Sequence, residues 1–383
     1  MSKLLSTPGD GILKTHISWE EIEQDVQNAL KTKATLGPNK TVRNLSLSRG
    51  FTSRMALIEP DWQNGEDRLP KALIAKIPSV MNFLDFNELM IQKGRDQWSI
   101  DDRMLKMWQN LCTQAHNSEC LIYEIIQKYA NGKIKIPLIM ATKKFDEHNT
   151  HKGNLMMEYV ESCELQVYDN ITFEDMKELL RMIAVFQVIG TKLDEETKKK
   201  IPINPYSNLF SEMFNDKKRK KFLDQFRKFD SGSIPEETLD KFCYVFEKEM
   251  AEEGYKRIDT LSDILGISRV LCHGDMWSTN LLWKKENNGR HELAAIIDWQ
   301  ISHFGCPAVD VCRFLMASLS GKDRRKYKDE VLRTLYKYLE EEMDDAEPPY
   351  TFAQVLERIR EKTLAMIEDV IEYYQKCHPD EKF

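Results

Sequence analysis

The sequence predicts an α+β protein in which an antiparallel sheet comes first and helices follow, and three observations carry that prediction. Short alternating apolar runs crowd the chain before Val160, long amphipathic patterns of helical period fill it afterwards, and one stretch rich in Gly, Asp and Asn, Val270 to Trp299, interrupts the helical part. With 383 residues, 42% of them hydrophobic and 10% aromatic, the chain can bury a core shared between two lobes.

Ser18-Trp-Glu-Glu21 predicts a helix start, the serine accepting from backbone donors and the glutamate reaching back, with Ile22, Val26 and Leu30 forming one apolar stripe as far as about Ala34. Val42 to Ser48, Phe51 to Ile58 and Ala72 to Ile77 read as three antiparallel strands. Gly50 separates the first two, and the polar stretch from Pro60 to Pro70 makes a loop before the third. Asn117 to Ala130 predicts a helix with Glu119 in its first turn. Ile136 to Thr142 and Asn154 to Val160 predict a hairpin across polar Lys143 to Gly153. Helices are then expected at about 173–190, 207–228, 235–253, 322–344 and 351–377. Without repeats or a Pro/Ser linker, the division falls at a short hinge near Glu158 to Glu164, giving an N-terminal lobe over 1–160 and a helical C-terminal lobe over 161–383.

The formal charge of -7 is spread over well-mixed acidic and basic residues, which leaves no one-sign field for nucleic acid or an anionic membrane. Eight cysteines form neither a dense framework nor paired Cys-x-x-Cys ligands, which fits a reducing, cytoplasmic setting. The first ten residues hold no long apolar stretch, and nowhere does the chain approach the roughly 20 apolar residues that span a bilayer. Oligomeric state leaves no mark in the sequence.

The chemistry concentrates in the interruption. His273-Gly-Asp275-Met-Trp-Ser-Thr-Asn280 puts a carboxylate and an amide five residues apart, and Asp298 follows 18 residues later at the end of an apolar run. Phosphoryl transfer needs this inventory: one carboxylate, Asp275, to orient or deprotonate the attacking hydroxyl, and hard oxygen ligands, Asn280 and Asp298, to hold Mg2+ against the phosphates of ATP. It also needs a strand lysine kept toward the phosphates by a helix glutamate. Lys76 interrupts the apolar strand Leu73 to Ile77, where an unpaired cation would be costly, and Glu119 is the expected partner. The turn carrying Gly50, Phe51, Thr52 and Ser53 can offer backbone donors and hydroxyls to phosphates. At the hinge, Glu158 and Val160 are candidate nucleotide contacts.

Taken together, His273 to Leu282, Ile297-Asp-Trp-Gln300 and Pro307-Ala-Val-Asp310-Val-Cys-Arg-Phe314 resemble the CHK kinase-like group, also called ecdysteroid-kinase-like, which is related to aminoglycoside phosphotransferases and choline kinases. Leu69 to Ser79 and His116-Asn-Ser-Glu119 with Tyr123 look like the lysine strand and glutamate helix of its nematode branch. The resemblance implies a bilobed protein-kinase-like fold with ATP in the cleft, Asp275 as base, Asn280 and Asp298 as metal ligands, and Asp310 steadying the catalytic loop. Trp-Gln after Asp298, where protein kinases have Phe-Gly, points away from protein substrates and toward a small-molecule hydroxyl: steroid-like, choline-like or xenobiotic.

Other readings are weaker or lack their motifs. His273 reads as a loop-bonding histidine, since Asp275 already serves as base. Cys272, Cys306, Cys312 and His303 lack a closed tetrahedral spacing for zinc. Trp277, Trp283 and Trp299 could cage a quaternary ammonium but read first as wall and core. No Gly-x-Gly-x-x-Gly turn, Gly-x-Ser-x-Gly elbow or phosphate-binding P-loop is present. The competing function is a catalytically silent nucleotide-binding pseudokinase module, which the single glycine of the turn at Gly50 favours.

Overall fold

The computed structural model describes residues 3–46, 52–65, 68–92, 100–163, 165, 171–213, 215–229, 234–287 and 289–354. Two compact units emerge: one of Met1–Cys163, Leu282–Lys284 and Ala294–Gln300, the other of Glu164–Leu281, Lys285–Leu293 and Ile301–Phe383.

In the first unit, α1 (Trp19–Leu30) starts on a capping box in which the Ser18 hydroxyl accepts from Glu21 N–H and the Glu21 carboxylate accepts from Ser18 N–H. Five antiparallel strands follow in the spatial order β1 (Thr41–Asn44), β2 (Ser53–Glu59), β3 (Leu73–Pro78), β5 (Asn154–Glu158), β4 (Ile139–Lys143). Between β3 and β4 run α2 (Met81–Gln92) and α3 (Asp102–Tyr129). The sheet is covered on both faces, so β3 is buried at every position. Its odd residues Leu73, Ala75 and Ile77 join Ile22 and Val26 of α1 in one core, which by the two-residue period sends Ile74 and Lys76 to the face covered by α3.

Several boundaries differ from the sequence expectation for local physical reasons. β1 ends at Asn44 because the Asn44 side chain accepts Ser46 N–H in a turn, and the expected continuation toward Ser48 lies outside the described residues. The helix expected from Asn117 is only the second half of α3, which starts on an Asp101 cap, so Glu119 is mid-helix and not in the first turn. Its first half packs Met104, Leu105, Trp108 and Leu111 with Phe83 and Phe145, a cluster separate from the sheet core. α2 has no counterpart in the sequence reading.

In the second unit, α4 (Phe173–Lys192) begins on a Thr172/Asp175 capping box and is buried nearly all round, with α12 (Gly321–Met343) along it and β6 (Val270–Cys272) against its end. Gly190 allows that approach: a Cβ there would stand 3.0 Å from the Leu271 side chain. α5 (Glu195–Lys199) leads to α6 (Pro205–Met213) and α7 (Asp216–Phe229), two helices where one was expected, because Asn215 caps a new start by accepting Lys218 N–H. α8 (Glu236–Glu249), α9 (Glu252–Asp259) and α10 (Leu261–Leu265) follow before β6. β7 (Leu281–Lys285) and β8 (His291–Ile296), of which residues 282–284 and 294–296 belong to the first unit, form a two-stranded sheet, and β9 (His303–Gly305) pairs antiparallel with β6 ahead of α11 (Val309–Ser318). The helix expected over 351–377 lies almost wholly outside the described residues. Among the described residues no helix is long and apolar enough to cross a membrane.

Candidate functional site

On the α3 face of the sheet, Lys76 is buried between two carboxylates. Its Nζ lies 2.7 Å from Glu119 Oε2 and 2.5 Å from Asp298 Oδ1. Burial works against the ammonium, but Asp298 and then Glu119 outweigh it and hold the lysine charged well above the usual lysine range. One ammonium cannot neutralise two carboxylates: Glu119 is pushed up by burial, pulled back by Lys76 and raised again by the charge of Asp298. Asp298 sits at φ 67°, a left-handed conformation sparsely used by residues other than glycine, asparagine and aspartate. That conformation is secured locally: Gln300 Nε2 lies 3.4 Å from Asp298 Oδ2, and Thr52 Oγ1 donates to Gln300 Oε1 at 3.2 Å.

Of the residues expected to touch nucleotide in this unit, Thr52 and Ser53 are anchored at the start of β2. The Thr52 carbonyl accepts from Ser79 N–H and Cys112 Sγ–H, and the Ser53 carbonyl accepts from Asn82 Nδ2 at 2.6 Å. Gly50 and Phe51 lie outside the described residues. Glu158 pairs with Leu73, three ladder positions from Leu155 opposite Lys76, and its carboxylate accepts Leu138 N–H at 3.0 Å. Glu158 therefore stands along the sheet from the Lys76 cluster, and Val160 follows two residues beyond the end of β5.

In the second unit the loop after β6 is built around a buried carboxylate. Asp310, at the start of α11, accepts His273 N–H on one oxygen and Gly274 N–H on the other, each at 2.8 Å. Burial raises the Asp310 carboxyl, while the nearby His273 and these two N–H donors work against that rise. Gly274 is at φ +85°, and a Cβ on it would stand 2.6 Å from the Ile301 carbonyl, so the middle of the His-Gly-Asp run admits glycine alone without strain. Tyr206 Oη–H donates to the Gly274 carbonyl at 2.8 Å, and Asp259 holds α6 in place by accepting Tyr206 and Ser207 N–H. The loop then presents Asp275 with both oxygens engaged: Oδ1 accepts from Arg313 Nη2 at 3.0 Å and Oδ2 from Asn280 Nδ2 at 3.1 Å. Asn280 Nδ2 also donates to the Asp275 carbonyl at 2.9 Å, which pins the two ends of the loop to one another. His273 is fully buried and its Nδ1 accepts Asp275 N–H, the loop-bonding role the sequence suggests.

A family model described as DUF1679, "Uncharacterized oxidoreductase dhs-27", matches residues 5–360. The chain belongs to the DUF1679 family. Among its members' relatives, the "Uncharacterized oxidoreductase dhs-27" of Caenorhabditis elegans is 22% identical over 314 residues, 78% of this chain. The chain spans only 35% of that protein's length. An "Uncharacterized kinase-like protein" of the same organism is 24% identical over 370 residues, covering 94% of this chain and 89% of the other. Among solved structures, the GDP complex of wild-type aminoglycoside 2'-phosphotransferase-IIIa is similar with a TM-score of 0.42 at 14% identity, over 93% of this chain and 97% of that one. A choline kinase from Cryptosporidium parvum has a TM-score of 0.44 at 12% identity, over 82% and 77%.

Among the described residues of this DUF1679 chain, no three His, Cys, Asp or Glu side chains gather as a metal cage. Cys272, Cys306 and Cys312 are free thiols that burial keeps protonated, Cys306 at about 11 and Cys312 at about 12. The Lys76 cluster is nonetheless suited to a hard divalent cation completed by a nucleotide's phosphates. It carries one carboxylate more than it can neutralise, and Asp298 is its more exposed member. Trp283 and Trp299 are fully buried, whereas Trp277 is half-buried beneath the Arg313 guanidinium, 5.4 Å from its ring centroid. Three relationships were missed from sequence: Asp298 as second partner of Lys76, Arg313 on Asp275, and Tyr206 under Gly274. The Asp-x-x-Arg spacing of Asp310 and Arg313 could have signalled the second, since it puts both residues on one helix face. Nothing in the sequence signals the third.

Proposed function

We propose that this protein is an ATP-dependent phosphotransferase that moves the terminal phosphate of ATP to a hydroxyl of a small molecule, within the CHK kinase-like group. The observation that carries the reading is the burial of Lys76 between Glu119 and Asp298. A buried ion pair is a weak source of stability compared with apolar packing, so a strand that spends a core position on one is better explained by function. In this reading Lys76, kept in place by Glu119, meets the phosphates, and Asp298 with the side-chain oxygen of Asn280 holds Mg2+. Asp275 accepts the proton of the attacking hydroxyl, and Asp310 keeps the loop in shape. The nucleotide supplies the transferred phosphoryl group, and the metal supplies charge neutralisation as it leaves ADP. Thr52 and Ser53 lie beside the phosphates, while Glu158 and Val160 belong to the segment that receives the base. The small-molecule acceptor is steroid-like, choline-like or a xenobiotic alcohol, and the protein works in the cytoplasm.

The test is thermal stabilisation by magnesium ATP combined with ATP consumption against alcohols: choline, ethanolamine, aminoglycosides, ecdysteroids and phenolic compounds. Stabilisation together with acceptor-dependent consumption is expected. Stabilisation without consumption across the panel would assign the silent nucleotide-binding alternative, and the absence of both would end the reading.

A further inference from the structure

Arg313 has no part in the phosphotransferase roles above, yet its side chain, like that of Asn280, reaches the proposed base. It rises from the first turns of α11, three residues beyond Asp310, and places Nη2 3.0 Å from Asp275 Oδ1. The same guanidinium lies over the face of Trp277, 5.4 Å from the ring centroid. Arg313 remains 49% exposed and the Asp275 side chain 23% exposed, so both groups open to solvent together.

That arrangement bears on what can approach Asp275. Asp275 Oδ2 already accepts from Asn280 and Oδ1 from Arg313, so a hydroxyl that approaches on the Oδ1 side shares that oxygen with the Arg313 guanidinium. An ion pair this exposed is weakly held, and a guanidinium has five N–H donors in a planar fork, so it can turn part of that fork to a new oxyanion at little cost. An acceptor carrying a carboxylate or similar oxyanion near its hydroxyl would gain a charge-assisted bond at the moment its hydroxyl meets Asp275. A quaternary ammonium or amino alcohol would meet a fixed positive charge, and the Trp277 face that could have received it is already covered by Arg313.

We infer that Arg313 is a specificity-determining residue that makes the approach to Asp275 selective for hydroxyl compounds bearing an oxyanion, and unreceptive to cationic alcohols. The inference rests on the phosphotransferase reading for its chemistry, but the electrostatic selectivity stands on the geometry of Arg313, Asp275 and Trp277.

The experiment uses the full chain, its Arg313→Gln variant, and Arg313→Lys as the conservative control. Acceptor-dependent ATP consumption is measured with triplets that share a carbon skeleton and differ in one terminal group, carboxylate, hydroxymethyl or aminomethyl: glycerate, glycerol and 3-amino-1,2-propanediol; gluconate, sorbitol and glucamine; 4-hydroxybenzoate, 4-hydroxybenzyl alcohol and 4-hydroxybenzylamine. The acid of an accepted triplet should have the lowest KM and the amine the highest. Arg313→Gln should raise the KM of the acid by roughly tenfold to a hundredfold relative to its neutral partner. Arg313→Lys should keep the order, and a purely structural role would lower kcat for all three alike. An amine preferred by the wild type, or an order unmoved by Arg313→Gln, overturns the inference.

A second measurement does not depend on turnover. The Trp277 fluorescence, taken as wild type minus Trp277→Phe and with each ion's quenching normalised to that of free N-acetyltryptophanamide, should be quenched more strongly by iodide than by caesium, and Arg313→Gln should abolish that difference. Equal quenching in the wild type, or a difference that survives the substitution, overturns the inference. If no alcohol is phosphorylated but the iodide preference depends on Arg313, then the functional reading fails while the anion selectivity stands.

Discussion

Lys76 and Glu119 meet at 2.7 Å across the interface between β3 and α3, and neither is exposed enough for water to replace the other. The lysine reaches that point because the two-residue period of β3 turns it away from the α1 core, and the glutamate meets it from mid-α3. The pair therefore has a consequence for stability.

Lys76→Met should leave Glu119 and Asp298 without a counter-charge and cost roughly 3–5 kcal/mol in urea unfolding, because an orphaned buried charge is more costly than the pair is favourable. Lys76→Met combined with Glu119→Leu should recover much of that loss. A single variant as stable as wild type would show that the pair is solvated and not buried.

Asp310→Ala removes the acceptor of two buried backbone N–H groups, and should cost roughly 2–6 kcal/mol by leaving them unpaired. Hydrogen exchange should quicken at His273 and Gly274 specifically. Protection unchanged at those amides would show that Asp310 does not hold the loop.

Gly274→Ala should destabilise by roughly 2–4 kcal/mol, since the left-handed backbone there and the Ile301 carbonyl both act against a Cβ. Its thermal midpoint, compared with that of Gly289→Ala, gives the contrast: Gly289 also has positive φ, but open space surrounds it. Equal losses at the two glycines would assign the whole effect to backbone conformation.

His116 and His303 are both held neutral by burial, each lowered from 6.5 to about 4. The unfolded chain takes up these protons near 6.5 and the folded chain only near 4, so stability is fully present above pH 6.5 and is lost as pH falls toward 4. Each imidazole should account for about 3 kcal/mol of that loss. Glu119, pushed up by burial, acts in the opposite sense, so the contribution is read as a difference. His303→Gln should flatten the stability curve between pH 6.5 and 4. A curve parallel to wild type over that window contradicts the assignment.

The sheet-first, helix-later order was legible because β strands and amphipathic helices write their periods directly into the chain. The capping boxes at Ser18 and Thr172 are legible in the same local way, each as a hydroxyl followed three residues later by a carboxylate. Lys76 with Glu119 could be anticipated because an apolar strand does not carry a lysine without a partner. Asp298 as a second partner could not, because its approach depends on the chain returning to the first unit at Ala294–Gln300, and no local period records that return. The break at Asn215 was hidden because charged residues crowd the stretch that follows it, whereas the early start of α3 at Asp102 is written in the spacing of Met104, Leu105, Trp108 and Leu111 behind the Asp101 cap. Tyr206 beneath Gly274 is pure tertiary placement, set by Asp259 on another helix.

The central claim is that Asp275 activates an acceptor hydroxyl, and parallel assay of wild type and Asp275→Asn tests it most directly. Both proteins should be stabilised alike by magnesium ATP, and the variant should lose acceptor-dependent phosphoryl transfer by roughly 10²–10⁴-fold, the contribution of a positioned base. Transfer by Asp275→Asn at the wild-type rate would contradict the account.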